Sequence, residues 1–308
     1  MSQQSHTKIF FGRTAILAAA FLLAAGVALR AQDTPRKQSP RHCLWKVSSP
    51  TNTIYLLGSI HLLKEDIYPL DTVIESAINQ AEVYAFEADL DSFDQDAIAG
   101  LMLSKGMYTG EKTLKNSIAK STYQKVAKAL EKQGLAITLF NKFKPWVVAL
   151  TIMGLQLKEA EMKAEHGIDK YVHGKAEERG KPTAALEAVT DQINLFSSLN
   201  DAAQESFLKQ SLDGASHGKA AKDVNTIVKA WQKGDLKSLE KLLQKTYKSD
   251  PEFYKRAVTD RNHNWMPKIE EFLAGTQPHL VTVGALHLVG KEGVVELLRA
   301  KGYSVQQL

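Results

Sequence analysis

The stretch TIYLLGSIHLLKEDIYPLDTVIESAINQAEVYAFEA, residues 53–88, decides the fold. TIYLLGSI is an apolar run rich in β-branched and aromatic residues, closed by His61, and reads as a strand. Pro69 and Asp71 then open a helix whose Leu70, Val73, Ile74, Ala77 and Ile78 recur at helical spacing. VYAF follows as a short strand, closed by Glu87. A strand, a helix and a second strand in such a span form a βαβ unit, which implies parallel pairing.

Upstream, CLWKVSSP (43–50) and a Pro-Thr-Asn turn make the first strand into a hairpin. Downstream, KPTAALEAV (181–189) and HLVTVGALH (279–287) read as further strands. KEGVVELLRAKG (291–302) reads as a helix stopped at Gly302, and YSVQQL ends the chain. The intervening blocks are helical, with Pro145 starting the most apolar helix and breaks at Gly214, Gly234 and Pro251. The expected fold is α/β (α+β): one central mixed sheet with parallel strand pairs, flanked by helices. It occupies 42–308 as a single domain with helical insertions at about 92–180 and 191–275.

Ahead of that domain, Lys8 and Arg13 precede an unbroken apolar and small run from Ala15 to Leu29, then Arg30 and Ala31. This is the pattern of a secretory signal over 1–31, followed by a polar linker over 32–41, and it predicts an exported, periplasmic or secreted protein. The run is shorter than the roughly 20 residues of a membrane span, so the membrane is met only through the signal. The signal carries three basic residues and no acid; without it 36 Lys+Arg face 34 Asp+Glu, which supports no nucleic-acid partner. The single cysteine, Cys43, excludes an intramolecular disulfide and reads as a small packed residue at the first strand.

Polar residues close four of the strand-like runs: His61, Glu87, Glu187 and His287. Ligands bind at the carboxyl ends of parallel strands, and imidazole with carboxylate is a donor set that suits zinc, manganese or cobalt. LGSIHL (57–62) and VGALHL (283–288) share a G-x-x-H pattern. A third match, GASH (214–217), has no strand before it, so His217 is not expected in the site. Glu82 stands at the start of its strand and should be solvated, unlike Glu87. Arg261, in DRNHNW, reads as a helix-start surface charge or an anion-stabilising group.

These residues resemble the TraB/GumN/TIKI family. The resemblance lies in LWKV through IYLLGSIH (Leu44–His61), Glu87, Leu186–Glu187 after a Lys-Pro strand, the R-N-x-x-W segment Arg261–Trp265, and Val283–Tyr303. It implies a fold shared with erythromycin esterase relatives, a site on the two G-x-x-H motifs and a glutamate, and metal-dependent peptidase activity as in the animal members. The expected protein is therefore an exported metal-dependent hydrolase acting on a peptide or small molecule. A divalent metal (Mn, Co or Zn) would be held by His61, Glu87 and His287, with Glu187 as general base and Arg261 steadying the oxyanion. The competing readings are a metal-independent esterase-like hydrolase and a non-catalytic peptide-binding protein.

Overall fold

The computed structural model describes residues 41–88, 95–214 and 219–308. The expected signal peptide, the linker up to residue 40 and His217 lie outside the described residues. Six strands form one mixed sheet: β1 (Leu44–Ser48), β2 (Thr53–Ser59), β3 (Val83–Ala88), β4 (Thr183–Glu187), β5 (His279–Gly284) and β6 (Ser304–Gln307). Their order is β4-β3-β5-β2-β1-β6. Helices supply most of the remaining chain, so the α+β expectation holds.

The helix of the opening βαβ unit runs Thr72–Gln80, and the Asp71 carboxylate caps it by accepting the Val73 N–H at 2.9 Å. β2 and β3 point the same way, as the pattern requires, yet they do not pair with each other. β5 lies between them and pairs in parallel with both. The local pattern fixes direction but not adjacency, and every residue of the intervening β5 is buried. β2 is buried beyond its first residue and β3 throughout, which accounts for their continuous apolar runs.

The hairpin sits on the other side of β2, with β1 antiparallel in the register Leu44↔Leu57 to Ser48↔Thr53. β6, from the terminal YSVQQL, adds antiparallel to β1 and alternates exposed and half-buried residues, as an edge strand does. Trp45, Trp146 and Trp265 are fully buried in the core. Trp231, on the helix Lys219–Gln232, donates its indole N–H to the Gly58 carbonyl at 2.6 Å and so fixes that helix over β2. Cys43 is buried as a packing residue, and burial, helped by Asp235, pushes its thiol up to about 12. No described helix is long and apolar enough to cross a membrane.

Candidate active site

β4, β3, β5 and β2 are four neighbouring parallel strands, so their carboxyl ends share one edge of the sheet. Each delivers one residue there. His61 follows β2, Glu87 stands near the end of β3, and Glu187 is the last residue of β4. His287 lies just beyond β5 in the 3-10 turn Ala285–Leu288. The two G-x-x-H segments leave adjacent strands one register step apart, since Gly58 pairs with Val283 and Ser59 with Gly284.

Of the two motif glycines, Gly58 has a steric reason. A β-carbon on Gly58 would lie 3.1 Å from the Ala285 backbone and 3.2 Å from Cys43 Cβ, so glycine lets β2 approach the turn that carries His287. Gly284 donates its N–H to Glu87 Oε1 at 2.7 Å.

Arg261, in the first turn of the helix Asp260–Ala274, ties the edge together. Its Nε and Nη2 donate to the Glu187 carboxylate at 2.5–3.1 Å, and Nη2 also donates to Glu87 Oε2 at 2.5 Å. Nη1 donates to His287 Nε2 at 3.0 Å and to the Ala257 carbonyl at 3.2 Å. All five guanidinium N–H groups therefore have protein acceptors. The guanidinium also lies over the Trp265 ring, 4.7 Å from its centroid. Glu187 additionally accepts from Trp265 Nε1 and Gln192 Nε2, both at 3.0 Å.

His287 is fully buried. Its Nδ1 meets Asn262 Oδ1 at 2.6 Å, while the Asn262 amide nitrogen donates to two backbone carbonyls and so fixes the amide's orientation. An amide oxygen only accepts, so Nδ1 carries the proton and Nε2 the lone pair that Arg261 fills. Burial, reinforced by the Arg261 charge, pushes His287 down to about 3. Burial opposes the charged form of Glu87 as well, but Arg261 and the two histidines outweigh it and hold the carboxyl far below its usual range.

His61 is the most accessible member, with 31% of its side chain exposed against 0–9% for His287, Glu87, Glu187 and Arg261. Its Nδ1 meets Asp169 Oδ2 at 2.7 Å. Burial works against its positive charge, but Asp169 and then Glu87 overcome that and raise it to about 9. Asp169 comes from the first turn of the helix Ile168–Glu178, whose approach is stapled to the His61 loop. The Ile168 N–H bonds to the Ile60 carbonyl at 3.0 Å, and Leu63 bridges Lys163.

Gly167 sits at that staple, where a β-carbon would fall 2.3 Å from the His61 carbonyl oxygen. Gly167→Ala should therefore cost about 1–3 kcal/mol in urea unfolding, because backbone must move. Gly174→Ala, in the same helix with nothing within 4 Å of its β-carbon, should be neutral or stabilising by up to ~1 kcal/mol. Equal effects of the two would mean that the His61 loop is not held against this helix.

The structure thus brings together His61, Glu87, Glu187, Arg261 and His287. Glu82 is exposed and pairs with Lys181. The expected divalent ion was to rest on His61, Glu87 and His287, but the lone pairs it would need on His287 Nε2 and Glu87 Oε2 are taken by the guanidinium. Among the described residues no group of three or more His, Cys, Asp or Glu is placed to hold an ion. As arranged, these residues fit a guanidinium and do not fit a divalent metal. The oxygens of Glu187 are likewise engaged by donors, and Arg261 has no N–H left for an oxyanion.

Sequence reasoning missed Asp169, Asn262 and Gln192. Asn262 had one available signal, its place beside Arg261 in DRNHNW. Asp169 resembles any acid in a helix's first turn.

Residues 43–307 match the model of the TraB/PrgY/gumN family. The chain is 25% identical over 263 residues to "Uncharacterized protein YbaP" of Escherichia coli (strain K12), covering 84% of this chain and 94% of that protein. The protein of the same description from Shigella flexneri is 25% identical over 246 residues, covering 80% and 87%. A "Metalloprotease TIKI homolog" from Amphimedon queenslandica is 26% identical over 193 residues, covering 55% of this chain and 38% of that protein. No solved structure matches.

Proposed function

The chain belongs to the TraB/PrgY/gumN family, and from that premise we propose that it is a hydrolase of peptide bonds whose reaction centre is the charged cluster at the sheet's carboxyl edge. The observation that carries this reading is the convergence of His61, Glu87, Glu187, Arg261 and His287 from five elements far apart in the chain, with His61 open to solvent. The peptide bond as substrate is taken from the Amphimedon queenslandica relative, whose name describes a metalloprotease.

Hydrolysis needs a proton moved between attacking water and leaving group. Asp169 engages Nδ1 of His61 and keeps the ring protonated, so Nε2 donates its proton to the leaving nitrogen as the C–N bond breaks and takes back the proton of the water whose oxygen bonds to the carbonyl carbon. Glu87, Arg261, Glu187, Asn262 and His287 form a fully bonded floor that fixes the site's shape and sets the field around His61. Their role is positioning. No step is routed through a metal, because the guanidinium holds the lone pairs that a metal would take.

The test is cleavage of an N-acetylated peptide library by the purified protein, read by mass spectrometry with and without chelator, alongside metal content. We expect chelator-insensitive cleavage, lost in His61→Ala. Retention of peptides without cleavage, or equal cleavage by His61→Ala, would overturn the reading. Chelator-sensitive cleavage with stoichiometric metal would overturn the metal-free part of it.

A further inference from the structure

The chain entering the Arg261 helix is irregular. Pro251–Tyr254 is α-helical, Lys255–Thr259 is a π-helical turn, and the α-helix resumes at Asp260. Single π turns inside α-helices occur frequently at functional sites. Here the turn carries Arg256, five residues before Arg261 in the resumed helix, and the two arginines line one open cleft of about 350 Å³. The cleft shares Glu187 and Arg261 with the reaction centre, so a molecule seated in it abuts the bonded floor of that centre.

The charges around the cleft are not all alike. Glu187 and Arg261 are consumed by the bonded floor. Asp260 is held by Lys255 at 2.6 and 2.7 Å. Asp191 Oδ2 accepts the Ala188 N–H at 3.1 Å, which caps the helix Val189–Ser197. Arg256 is different: it is half-buried, donates from Nη2 to the Ser198 hydroxyl, and has no carboxylate partner among the described residues. Ser198 is itself fixed through its hydroxyl to the Asn194 carbonyl at 2.5 Å, so it holds the guanidinium at the cleft wall. A fork of N–H donors held in place without an acid is suited to bidentate recognition of a carboxylate.

We propose that Arg256 is a specificity residue that anchors a carboxylate of the substrate, placing an acidic or carboxyl-terminal part of a peptide in the cleft beside the reaction centre. This rests on the reading of the chain as a peptide hydrolase. The carboxylate belongs either to the peptide's C-terminus or to an Asp or Glu side chain, and the recognition chemistry is shared.

A peptide cleaved by the wild-type protein is compared in three forms: free acid, C-terminal amide, and Asp/Glu replaced by Asn/Gln. Arg256→Gln should raise KM for the carboxylate-bearing form roughly 10- to 100-fold, with little change in kcat. The effect should vanish on whichever neutral form lacks the recognised carboxylate, which identifies the source. Arg256→Lys should restore part of the loss. A merely structural role predicts equal losses on all three forms, and that result, or no change in KM, would overturn the inference. Binding of all three forms, measured by fluorescence polarisation on wild type and Arg256→Gln, separates this from the hydrolase reading. A preference for the form that keeps the recognised carboxylate over the amide or the Asn/Gln form, abolished by Arg256→Gln, supports the anchor even if nothing is cleaved. With no preference over either neutral form the anchor fails, whatever the cleavage assay reports.

Discussion

Arg261→Leu should destabilise the fold by about 3–5 kcal/mol, measured by urea unfolding at neutral pH. The leucine packs in place of the stem but leaves Glu87 and Glu187, with side chains 8% and 9% exposed, without the cation that both share. It also strips the donor from His287 Nε2. Arg261→Lys should recover only part of the loss, since an ammonium cannot span Glu87, Glu187 and His287 as the planar fork does.

The pH dependence separates a lost ion pair from lost packing. Arg261 is a leading cause of the depressed Glu87 value in the folded wild type. That group contributes stability above its unfolded value of about 4.3, and the contribution is lost as pH falls toward the folded one. In Arg261→Leu that depression is removed, and the stranded Glu87 carboxyl takes up a proton more readily in the folded state. The gap between variant and wild type should therefore narrow as pH falls from 7 toward 4. A gap constant with pH would mean that the stem's packing, and not the pairing, carries the effect. Adding Glu87→Gln and Glu187→Gln to Arg261→Leu should recover stability at neutral pH, because it removes the buried charges.

The same lattice explains which parts of the site the sequence discloses. Each parallel strand reads as an apolar run because it is buried, and the first polar residue after the run marks the sheet edge; that is why His61, Glu87, Glu187 and His287 could be named together. What the polar residues do to one another is another matter. Arg261 meets residues 174, 74 and 26 positions away, and nothing local distinguishes a guanidinium with every donor filled from one open to substrate. Donor counting needs distances. In the same way, two parallel strands joined by a helix announce their direction but not the third strand that enters between them. β6 was illegible for a simpler reason: YSVQQL contributes one half-buried valine, Val305, to a four-residue edge. Asp169 hid in a position where acids are common whatever they do, the first turn of a helix.

His61→Ala should lower peptide cleavage by about 10²- to 10⁴-fold, the range for loss of a positioned proton-transfer group. Its effect on stability should be small, because the ring is partly exposed. Asp169 supplies the sharper comparison, since it touches the ring and not the expected substrate. Asp169→Asn keeps an oxygen that can accept the Nδ1 proton but removes the charge, so orientation survives while electrostatic support is lost. The His61 titration midpoint, followed by NMR, should then fall from about 9 toward or below the ordinary histidine value. Asp169→Ala removes orientation as well and should cost more activity than Asp169→Asn. If Asp169→Asn and Asp169→Ala were equally impaired, the carboxylate's charge would be the whole of its contribution. If neither moved the His61 midpoint, the pairing at 2.7 Å would not govern the imidazole, and the proton assigned to Nε2 would lose its basis.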